Sequence, residues 1–338
     1  MYAFANCKRS TPSRGQIDGA TAVLYAQATL ESLRVISIGD CARPGDYVLH
    51  SRFERVLNFE RLGDGGELVS LVSESIGNGP GNIVLDELPN LPERCEPALL
   101  KIRSNRMTLE SRSWAIPDSC FYDSKFQLSG PDGFSGFRNA WACFKKELLS
   151  SAPEKCLVFL LEPAREAAFR TRFDAAVVAR FKQAAEFIRA DTRGDEPLLE
   201  KGLALVQRLG WGLTPSGDDF VAGLLIGAYA LGELTRWGYE IDREWLSRLA
   251  RAERKPANLI SGQFQTFAEN GCLCWRWKAL FETLFGSAGL QASAGIEAAT
   301  RRILEIGSSS GADTAAGVVL AIERGMKMTE GDRNGSAL

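Results

Sequence analysis

The chain has 338 residues, with 40 Lys and Arg, 42 Asp and Glu and one His, so its formal net charge is −2. A hydrophobic share of 45% and a charged share of 24% are typical of a globular protein and argue against intrinsic disorder. The nearly neutral charge gives no electrostatic basis for binding nucleic acid or an anionic membrane. Since no apolar run reaches the length of a spanning helix, no transmembrane segment is predicted.

The first half of the chain predicts a sheet. Short apolar runs alternate with Gly, Asp, Asn and Pro, which is typical of an antiparallel or mixed β-structure. These runs are Val35–Ile38, Tyr47–Leu49, Leu57–Phe59, Leu68–Val72 and Ile83–Leu85. Between two of them, Asp64-Gly65-Gly66 predicts a hairpin turn.

The second half predicts helices. After the Gly- and Pro-rich segment 129–136, helical spacing predicts one helix through Phe137, Trp141, Phe144 and Leu148. Pro153 ends that helix, and the run Cys156–Leu161 predicts one more strand before Pro163. A second helix is predicted from the spacing of Phe169, Phe173, Val177, Phe181 and Ala184.

These patterns predict an α+β fold, in which a β-rich N-terminal domain is followed by an all-helical C-terminal domain. The predicted bounds are 1–163 for the β-rich domain, 164–330 for the helical domain and 331–338 for a frayed polar tail. The helical domain carries two equivalent loop-to-helix motifs, described next.

An eight-residue segment occurs twice. Ser216 to Gly223 reappears 94 positions later as Ser310 to Gly317, with five of the eight positions identical. Gly and hydroxyl residues precede each copy, and an apolar run follows it. The repetition predicts two equivalent junctions between a loop and a helix, of the kind that an internal duplication produces.

Structure alone offers one interpretation of these motifs. Ser-x-x-Asp is the pattern of a capping box, in which each side chain binds the backbone N–H of the other residue. Small residues four apart, at Gly223 and Gly227 and again at Gly317 and Ala321, would let two helices approach closely.

The functional interpretation is an anion site. Glycine-rich loops that lead into helix N-termini expose backbone N–H groups and the positive end of the helix dipole. Asp219 and Asp313 are the candidate catalytic residues. The candidate residues for binding a substrate or anion are Gly212, Thr214, Ser216, Gly217, Asp218, Ser308, Ser309, Ser310 and Gly311.

Carboxylates beside an anion need an explanation, because they would repel a bare phosphate. Carboxylates and an anion can share one site if a divalent cation such as Mg²⁺ lies between them, or if an Asp accepts a proton from an N–H nucleophile. No other cofactor is indicated. Neither loop has the G-x-x-x-x-G-K-[ST] pattern, so the chain is not predicted to be a P-loop ATPase.

The motifs resemble a known family. Gly210 to Phe220, followed by Ser310 to Asp313, is similar to the signature of the bacterial family that includes the AllH subunit of oxamate carbamoyltransferase. Weaker likenesses to that family are His50–Phe53, Val56–Phe59 and Asn78-Gly79-Pro80-Gly81. The chain departs from the family pattern at Trp211, where Pro is usual, and at Ser308, where His is common.

The resemblance implies carbamoyl transfer between oxalurate and phosphate, giving oxamate and carbamoyl phosphate in allantoin and purine degradation. It also implies a hetero-oligomer with other carbamoyltransferase subunits. Backbone N–H groups at 216–218 and 310–312 would then stabilise transition-state charge. Thr214 and Ser309 would orient phosphate, and Asp219 or Asp313 would handle a proton or a metal ion.

Two alternatives stay open on the sequence. The chain could be a non-catalytic ligand-binding or scaffolding subunit, in which mutations of the loops change affinity but not chemistry. It could instead be an independent metal-dependent hydrolase that uses Asp218, Asp219 and Asp313.

The remaining candidates concern other parts of the chain. Eight scattered cysteines without a C-x-x-C pair are typical of reduced thiols and predict a cytoplasmic protein. The only histidine, His50, is expected to be structural, with Arg52 and Arg55 on a solvated strand face. Other expectations place Asn258, Ser261 and Gln263 facing the two loops, Trp211, Trp275 and Trp277 in a core or interface, and Ser129–Asp132 in a turn.

Overall fold

The computed structural model describes residues 34–63, 66–91, 98–128, 137–191, 197–236, 239–286 and 293–326. Within these ranges the strands come first and the helices follow, so the predicted α+β fold with a β-rich N-terminal part and an all-helical C-terminal part is confirmed. The predicted tail, the turn at 129–132 and two residues of the predicted hairpin turn, 64 and 65, lie outside the described residues.

One mixed sheet of nine strands forms the N-terminal part of the described chain. The strands are β1 (Val35–Gly39), β2 (Gly45–Phe53), β3 (Val56–Arg61), β4 (Leu68–Ser73), β5 (Asn82–Leu85), β6 (Leu99–Arg103), β7 (Arg106–Leu109), β8 (Arg112–Ala115) and β9 (Phe121–Tyr122). Their order is β8-β7-β6-β2-β3-β4-β5-β1-β9, with β4–β5 and β1–β9 parallel and the other neighbours antiparallel. All five predicted runs lie in strands.

In the outer strands β6 and β7, buried apolar residues alternate with more exposed polar ones. In β6 and β7 the buried Leu100, Ile102 and Met107 face the core, while Lys101 and Arg103 are exposed. Because successive side chains point to opposite faces of a strand, one face of β6 and β7 is apolar and buried, and the other is charged and exposed.

The helices of the described C-terminal part run from residue 137 to residue 325. They are α1 (Phe137–Ser151), α2 (Arg172–Ala190), α3 (Leu198–Val206), α4 (Ser216–Thr235), α5 (Arg243–Arg251), α6 (Leu259–Glu269), α7 (Trp275–Phe285), α8 (Ser293–Leu304) and α9 (Ser310–Gly325). Two short 3₁₀ helices, Leu157–Leu160 and Pro163–Ala168, connect α1 to α2. None of the helices in the described ranges is both long and apolar enough to cross a membrane.

The predicted strand at Cys156–Leu161 is wrong. Leu157–Leu160 form a 3₁₀ turn, and Leu157, Val158 and Phe159 are all buried within the helical core. Consecutive burial in a short turn gives the same apolar run as a buried strand, so the sequence pattern does not distinguish them. The Leu157 N–H donates to the carboxylate of Asp313 instead of to a neighbouring strand.

The predicted helix after Pro163 exists but begins later than the apolar pattern. It starts at Arg172, where Thr171 and Asp174 form a capping box. Val177 and Phe181 are buried as expected, whereas Phe173 in the first turn is 57% exposed. The start of α2 is therefore set by its cap rather than by the first aromatic residue of the pattern.

Sheet and helices contact each other through α6 and α7. The side chain of Gln263 on α6 donates to the Leu68 carbonyl and accepts from the Leu68 N–H, as a neighbouring strand would. On α7, Trp275 donates its indole N–H to the Ile76 carbonyl at 3.1 Å. The predicted domain boundary at residue 163 stays a prediction. Helix α1, which comes before that residue, packs into the same buried cluster as the later helices.

Candidate functional site

Helices α4 and α9 cross at two glycines. A Cβ on Gly223 would lie 2.0 Å from the Thr314 carbonyl oxygen, and a Cβ on Gly317 would lie 2.2 Å from that of Phe220. One turn further along, a Cβ on Gly227 would lie 2.7 Å from the Cβ of Ala321. The prediction that the small residues permit close approach of two helices is confirmed, and the two helices are each other's partners.

The loops that lead into the two helices pack alike. A Cβ on Gly217 would lie 1.7 Å from the carbonyl oxygen of Val206, in the last turn of α3. A Cβ on Gly311 would lie 1.9 Å from that of Ile303, in the last turn of α8. Each motif therefore needs a glycine at its second position, where the helix N-terminus meets the carbonyl end of the preceding helix.

The capping-box interpretation of the two motifs is wrong. The N-cap residues are Pro215 and Ser309, and neither makes a side-chain cap bond. The carboxylates bind the loops instead. Thr214 Oγ1 donates to Asp219 Oδ2 at 3.0 Å, and Ser309 Oγ donates to Asp313 Oδ2 at 3.0 Å.

The two loops meet at their hydroxyl groups. Thr214 Oγ1 and Ser310 Oγ are 3.2 Å apart, although 96 positions separate them in the chain. The Ser310 hydroxyl also lies close enough to the carboxyl of Asp219, on the other helix, to lower its pKa. In the corresponding place, the Ser216 hydroxyl lies close enough to Asp313 to favour its charged form. Both motifs thus contribute to one cluster of side chains, here called the two-loop cluster, which consists of Thr214, Ser216, Asp219, Ser309, Ser310 and Asp313.

Burial sets the protonation of the two carboxyls in this cluster. Burial raises the pKa of Asp219 to about 7, and the charge of Asp313 also raises it. The hydroxyls of Ser310 and Thr214 lower the same pKa, but by less. Burial also raises the pKa of Asp313 to about 6, although the hydrogen bond from the Leu157 N–H lowers it. A carboxyl that titrates near neutral pH can both donate and accept a proton under physiological conditions.

One buried hydroxyl in the cluster is poorly satisfied. Ser216 is 1% exposed, and its Oγ lies near the Asp313 carboxyl but makes no hydrogen bond of good geometry to any described residue. A buried hydroxyl with a poorly formed hydrogen bond costs free energy, so Ser216 is a candidate to bind a ligand.

Asp218 has a different environment from the other two acids. Its carboxylate oxygens accept from the Arg208 N–H at 2.9 Å and the Ala257 N–H at 2.7 Å, and its own carbonyl accepts from Gln265. These contacts tie the loop before α4 to the loop before α6. Among the described residues, no group of three His, Cys, Asp or Glu side chains is placed to hold a metal ion.

Solvent reaches the cluster from the side of the loops. Gly212, with a φ of +93°, and Ser308 are exposed, while Ser309 and Ser310 are half-buried. Asp313 is 0% exposed and Asp219 is 5% exposed, so Ser309 and Ser310 are more accessible to solvent than either acid.

Three further candidates were expected to face the loops. Asn258 does contact one of them, because its Nδ2 donates to the Leu213 carbonyl at 2.9 Å while its Oδ1 caps α6. Ser261 is buried and its hydroxyl has no hydrogen-bond partner among the described residues. Gln263 binds the backbone of β4, as described above, and so belongs to the junction of sheet and helices.

The aromatic candidates lie in packed positions. The Trp211 ring contacts Phe169 at 5.1 Å and Phe173 at 6.3 Å between ring centroids, which anchors the loop before α4 to the start of α2. Trp277 is buried in the helical core, and Trp275 lies at the junction with the sheet.

The structure does not bring His50 to the two-loop cluster. It lies exposed on β2, where Nδ1 is 3.1 Å from Ser51 Oγ. Arg52 and Arg55 are exposed at the end of the same hairpin, and Arg52 donates to the Leu91 carbonyl. Sequence reasoning missed the backbone N–H of Leu157, which binds Asp313 from 156 positions away and leaves no signal in the sequence.

The fold and the cluster define an α+β protein whose helical part brings together two copies of one loop-to-helix motif. Residues 208–322 match the family model described as oxamate carbamoyltransferase subunit AllH, which supports assigning this chain to that family. The matched region is about one third of the 338 residues and contains both loops and helices α4 to α9. No curated protein and no solved structure matches the chain.

Proposed function

We propose that this chain is a subunit of an oxamate carbamoyltransferase-like enzyme, and that the two-loop cluster binds the small anions of the reaction. One observation carries the proposal: Thr214 and Ser310 lie 3.2 Å apart between two helix N-termini, beside a carboxyl that titrates near pH 7. The family match supports the same assignment at the level of the subunit family.

The electrostatics suit an anion despite the two acids. The N-termini of α4 and α9 direct backbone N–H groups and positive dipole ends toward the loops. Because burial raises the pKa of both Asp219 and Asp313, the pair carries less than two negative charges at pH 7. A neutral buried carboxyl donates a hydrogen bond to an anion instead of repelling it.

The proposed chemistry assigns a proton to Asp219. A phosphate oxygen bonds to the carbamoyl carbon of oxalurate while the bond from that carbon to the oxamate nitrogen breaks. The departing nitrogen takes a proton from the Asp219 carboxyl, and in the reverse direction Asp219 accepts it. Thr214 and Ser309 orient the phosphate, and the N–H groups of 216–218 and 310–312 stabilise charge that develops in the transition state.

A non-catalytic role is the second candidate, because one observation favours it for Asp313. Asp313 is 0% exposed, and its two oxygens accept from the Leu157 N–H at 2.7 Å and the Ser309 hydroxyl at 3.0 Å. A carboxylate with these partners holds the loop in place. In this alternative the cluster binds a ligand or orders the loops for a partner subunit, and the reacting groups belong to another chain.

The test starts with the native assembly. The chain is purified from its host grown on a purine-derived nitrogen source, together with the subunits that accompany it, and the eluate is assayed for phosphate-dependent cleavage of oxalurate. Asp219→Asn is compared with Asp174→Asn, which changes a buried carboxylate at a helix N-terminus outside the two-loop cluster.

We expect Asp219→Asn to lower kcat about a hundredfold with the assembly intact, because a positioned proton donor contributes about that much. Asp174→Asn should keep the turnover of the folded enzyme, since its carboxylate caps α2 and pairs with Lys155, both outside the two-loop cluster. Full turnover in Asp219→Asn would refute the catalytic role, and loss of oxamate binding with no change in kcat would support the non-catalytic alternative.

A further inference from the structure

Two cysteines from distant parts of the chain meet beside Ser124. Cys41 lies just beyond β1, and its neighbour Asp40, which directly follows that strand, accepts from the Ser124 hydroxyl at 2.6 Å. Cys272 follows α6 and pairs with Lys125 in an antiparallel β-bridge, while the Leu273 N–H donates to the Ser124 carbonyl at 2.9 Å. The segment at Ser124 therefore holds the two cysteines side by side, one from the sheet and one from the helical part.

The two thiols lie close enough for each to shift the pKa of the other, and both side chains are half-buried, so solvent reaches them. The two sulfur atoms are thus neighbours in the folded chain without being bonded. A disulfide between them requires Cα atoms within about 7 Å of each other and suitable torsion angles at the two sulfurs.

The surroundings make the two thiols unequal. The hydrogen bond from Cys41 lowers the pKa of Cys272 to about 6; the Lys125 ammonium also favours the thiolate, while burial and the Asp40 carboxylate oppose it. The same contact with Cys272, together with burial, raises the pKa of Cys41. At pH 7 the pair is therefore one nucleophilic thiolate and one thiol that holds its proton.

We propose that Cys41 and Cys272 form a thiol–disulfide exchange site that joins the sheet covalently to the helical part. The Cys272 thiolate attacks one sulfur of a low-molecular-weight disulfide such as oxidised glutathione and releases one glutathione thiolate. The Cys41 thiol then loses its proton and attacks the Cys272 sulfur of the mixed disulfide, releasing the second glutathione. Two protein thiols are oxidised to one disulfide, and one glutathione disulfide is reduced to two thiols.

This site lies apart from the two-loop cluster. Gly271, directly before Cys272, packs against the ring of Tyr229, where a Cβ would lie 2.2 Å from a ring carbon. Tyr229 is ten residues after Asp219 on α4, which corresponds to about 15 Å along the helix axis. Oxidation therefore acts on the connection between the sheet and the C-terminal half of α4, not on the loops.

Peptide mapping of the full chain tests the proposal. The reduced protein is exposed briefly to oxidised glutathione at pH 7, remaining thiols are alkylated, and disulfides are located by mass spectrometry. We expect a disulfide between Cys41 and Cys272, reversal by dithiothreitol, and a rise in Tm of several degrees, because the bond closes a long loop in the unfolded chain. Cys41→Ala should stop at the mixed disulfide on Cys272.

The unmodified chain provides a second measurement that needs no variant. The alkylation rate of Cys272 should exceed that of Cys143 about tenfold at pH 7, because Cys143 is also half-buried but burial raises its pKa. In Cys41→Ala this advantage should shrink, since the hydrogen-bond donor is gone. Equal alkylation rates for Cys272 and Cys143 would overturn the proposal, as would oxidation without a bond between Cys41 and Cys272.

Discussion

Gly223 and Gly317 face each other where α4 crosses α9, and a Cβ on either residue would lie 3.0 Å from the Cα of the other. Each glycine is seven residues after the serine that begins its helix, which corresponds to about 10 Å along each axis. Equal spacing on both helices places the two N-termini level with each other. The contact between Thr214 and Ser310 at the loops follows from this crossing.

Replacing Gly223 by Ala should destabilise the protein by about 3 kcal/mol. The new methyl group would lie 2.0 Å from the Thr314 carbonyl oxygen, and the backbone of α9 cannot move away without shifting the loop at Ser309 and Ser310. Urea unfolding of the wild type and the variant measures the loss.

Gly232→Ala is the matched control, because it lies on the same helix and a Cβ there meets nothing within 4 Å. It should be neutral or should stabilise the protein by about 0.5–1 kcal/mol, through the better helix propensity of Ala. Equal effects of the two substitutions would show that the crossing does not depend on the absence of a side chain at Gly223.

The raised pKa of Asp219 predicts how stability depends on pH. Folding raises this pKa from its ordinary value of 3.8 to about 7, so between these values the folded state binds more protons than the unfolded state. The stability contributed by the protonated group is therefore complete below pH 4 and is lost as the pH rises toward 7. Over the full window the loss is on the order of 4 kcal/mol.

Unfolding free energies of the wild type and Asp219→Asn, measured between pH 4 and pH 8, check this dependence. The variant keeps a neutral, hydrogen-bonding side chain at all these pH values, so its stability should fall less steeply between pH 4 and pH 7. Parallel curves for the two proteins would mean that Asp219 ionises at its ordinary pKa in the folded state.

The repeat, the small residues at the crossing and the strands β1 to β5 could all be predicted from the sequence, because they depend on local patterns. The strands β6 to β8 were not predicted. Each has only four or five residues and mixes apolar residues with polar or charged ones, as in Leu99–Arg103. Such a pattern has no continuous apolar run, and only strict counting of the alternation would have detected it.

The side-chain partners of the acids could not be predicted. The same S/T-x-x-D pattern forms a true capping box at Thr171 and Asp174 but not at the two loop motifs. There, tertiary contacts from other parts of the chain, such as the Leu157 N–H, compete for the carboxylates. A local pattern predicts a local bond only where no distant group takes its place.

Gln263→Ala should destabilise the junction between sheet and helices by about 2–3 kcal/mol. The substitution leaves both the N–H and the carbonyl of Leu68 without their partner, and Leu68 is buried. Hydrogen exchange at the Leu68 amide should accelerate as well. Gln183→Ala, at an exposed position of α2, is the control, and an equal loss in that variant would contradict a specific role for Gln263.

Oxamate binding should weaken as the pH rises. Oxamate keeps its charge across the neutral range, so a change in affinity reports the protein. The carboxyl of Asp313 loses its proton near pH 6 and that of Asp219 near pH 7, and each ionisation adds a negative charge beside the proposed anion site. Affinity should therefore be highest below pH 6.

Calorimetric titration of the full chain with oxamate at pH 6 and pH 8 measures this effect. The Asp219 proton alone, with a pKa of about 7, predicts that Kd rises about tenfold over these two units, and ionisation of Asp313 adds to that rise. In Asp219→Asn the side chain stays neutral, so the rise in Kd should become smaller while binding persists. A Kd that is constant with pH in the wild type would place the bound anion away from Asp219, because an ionising carboxyl in contact with an anion must change its affinity.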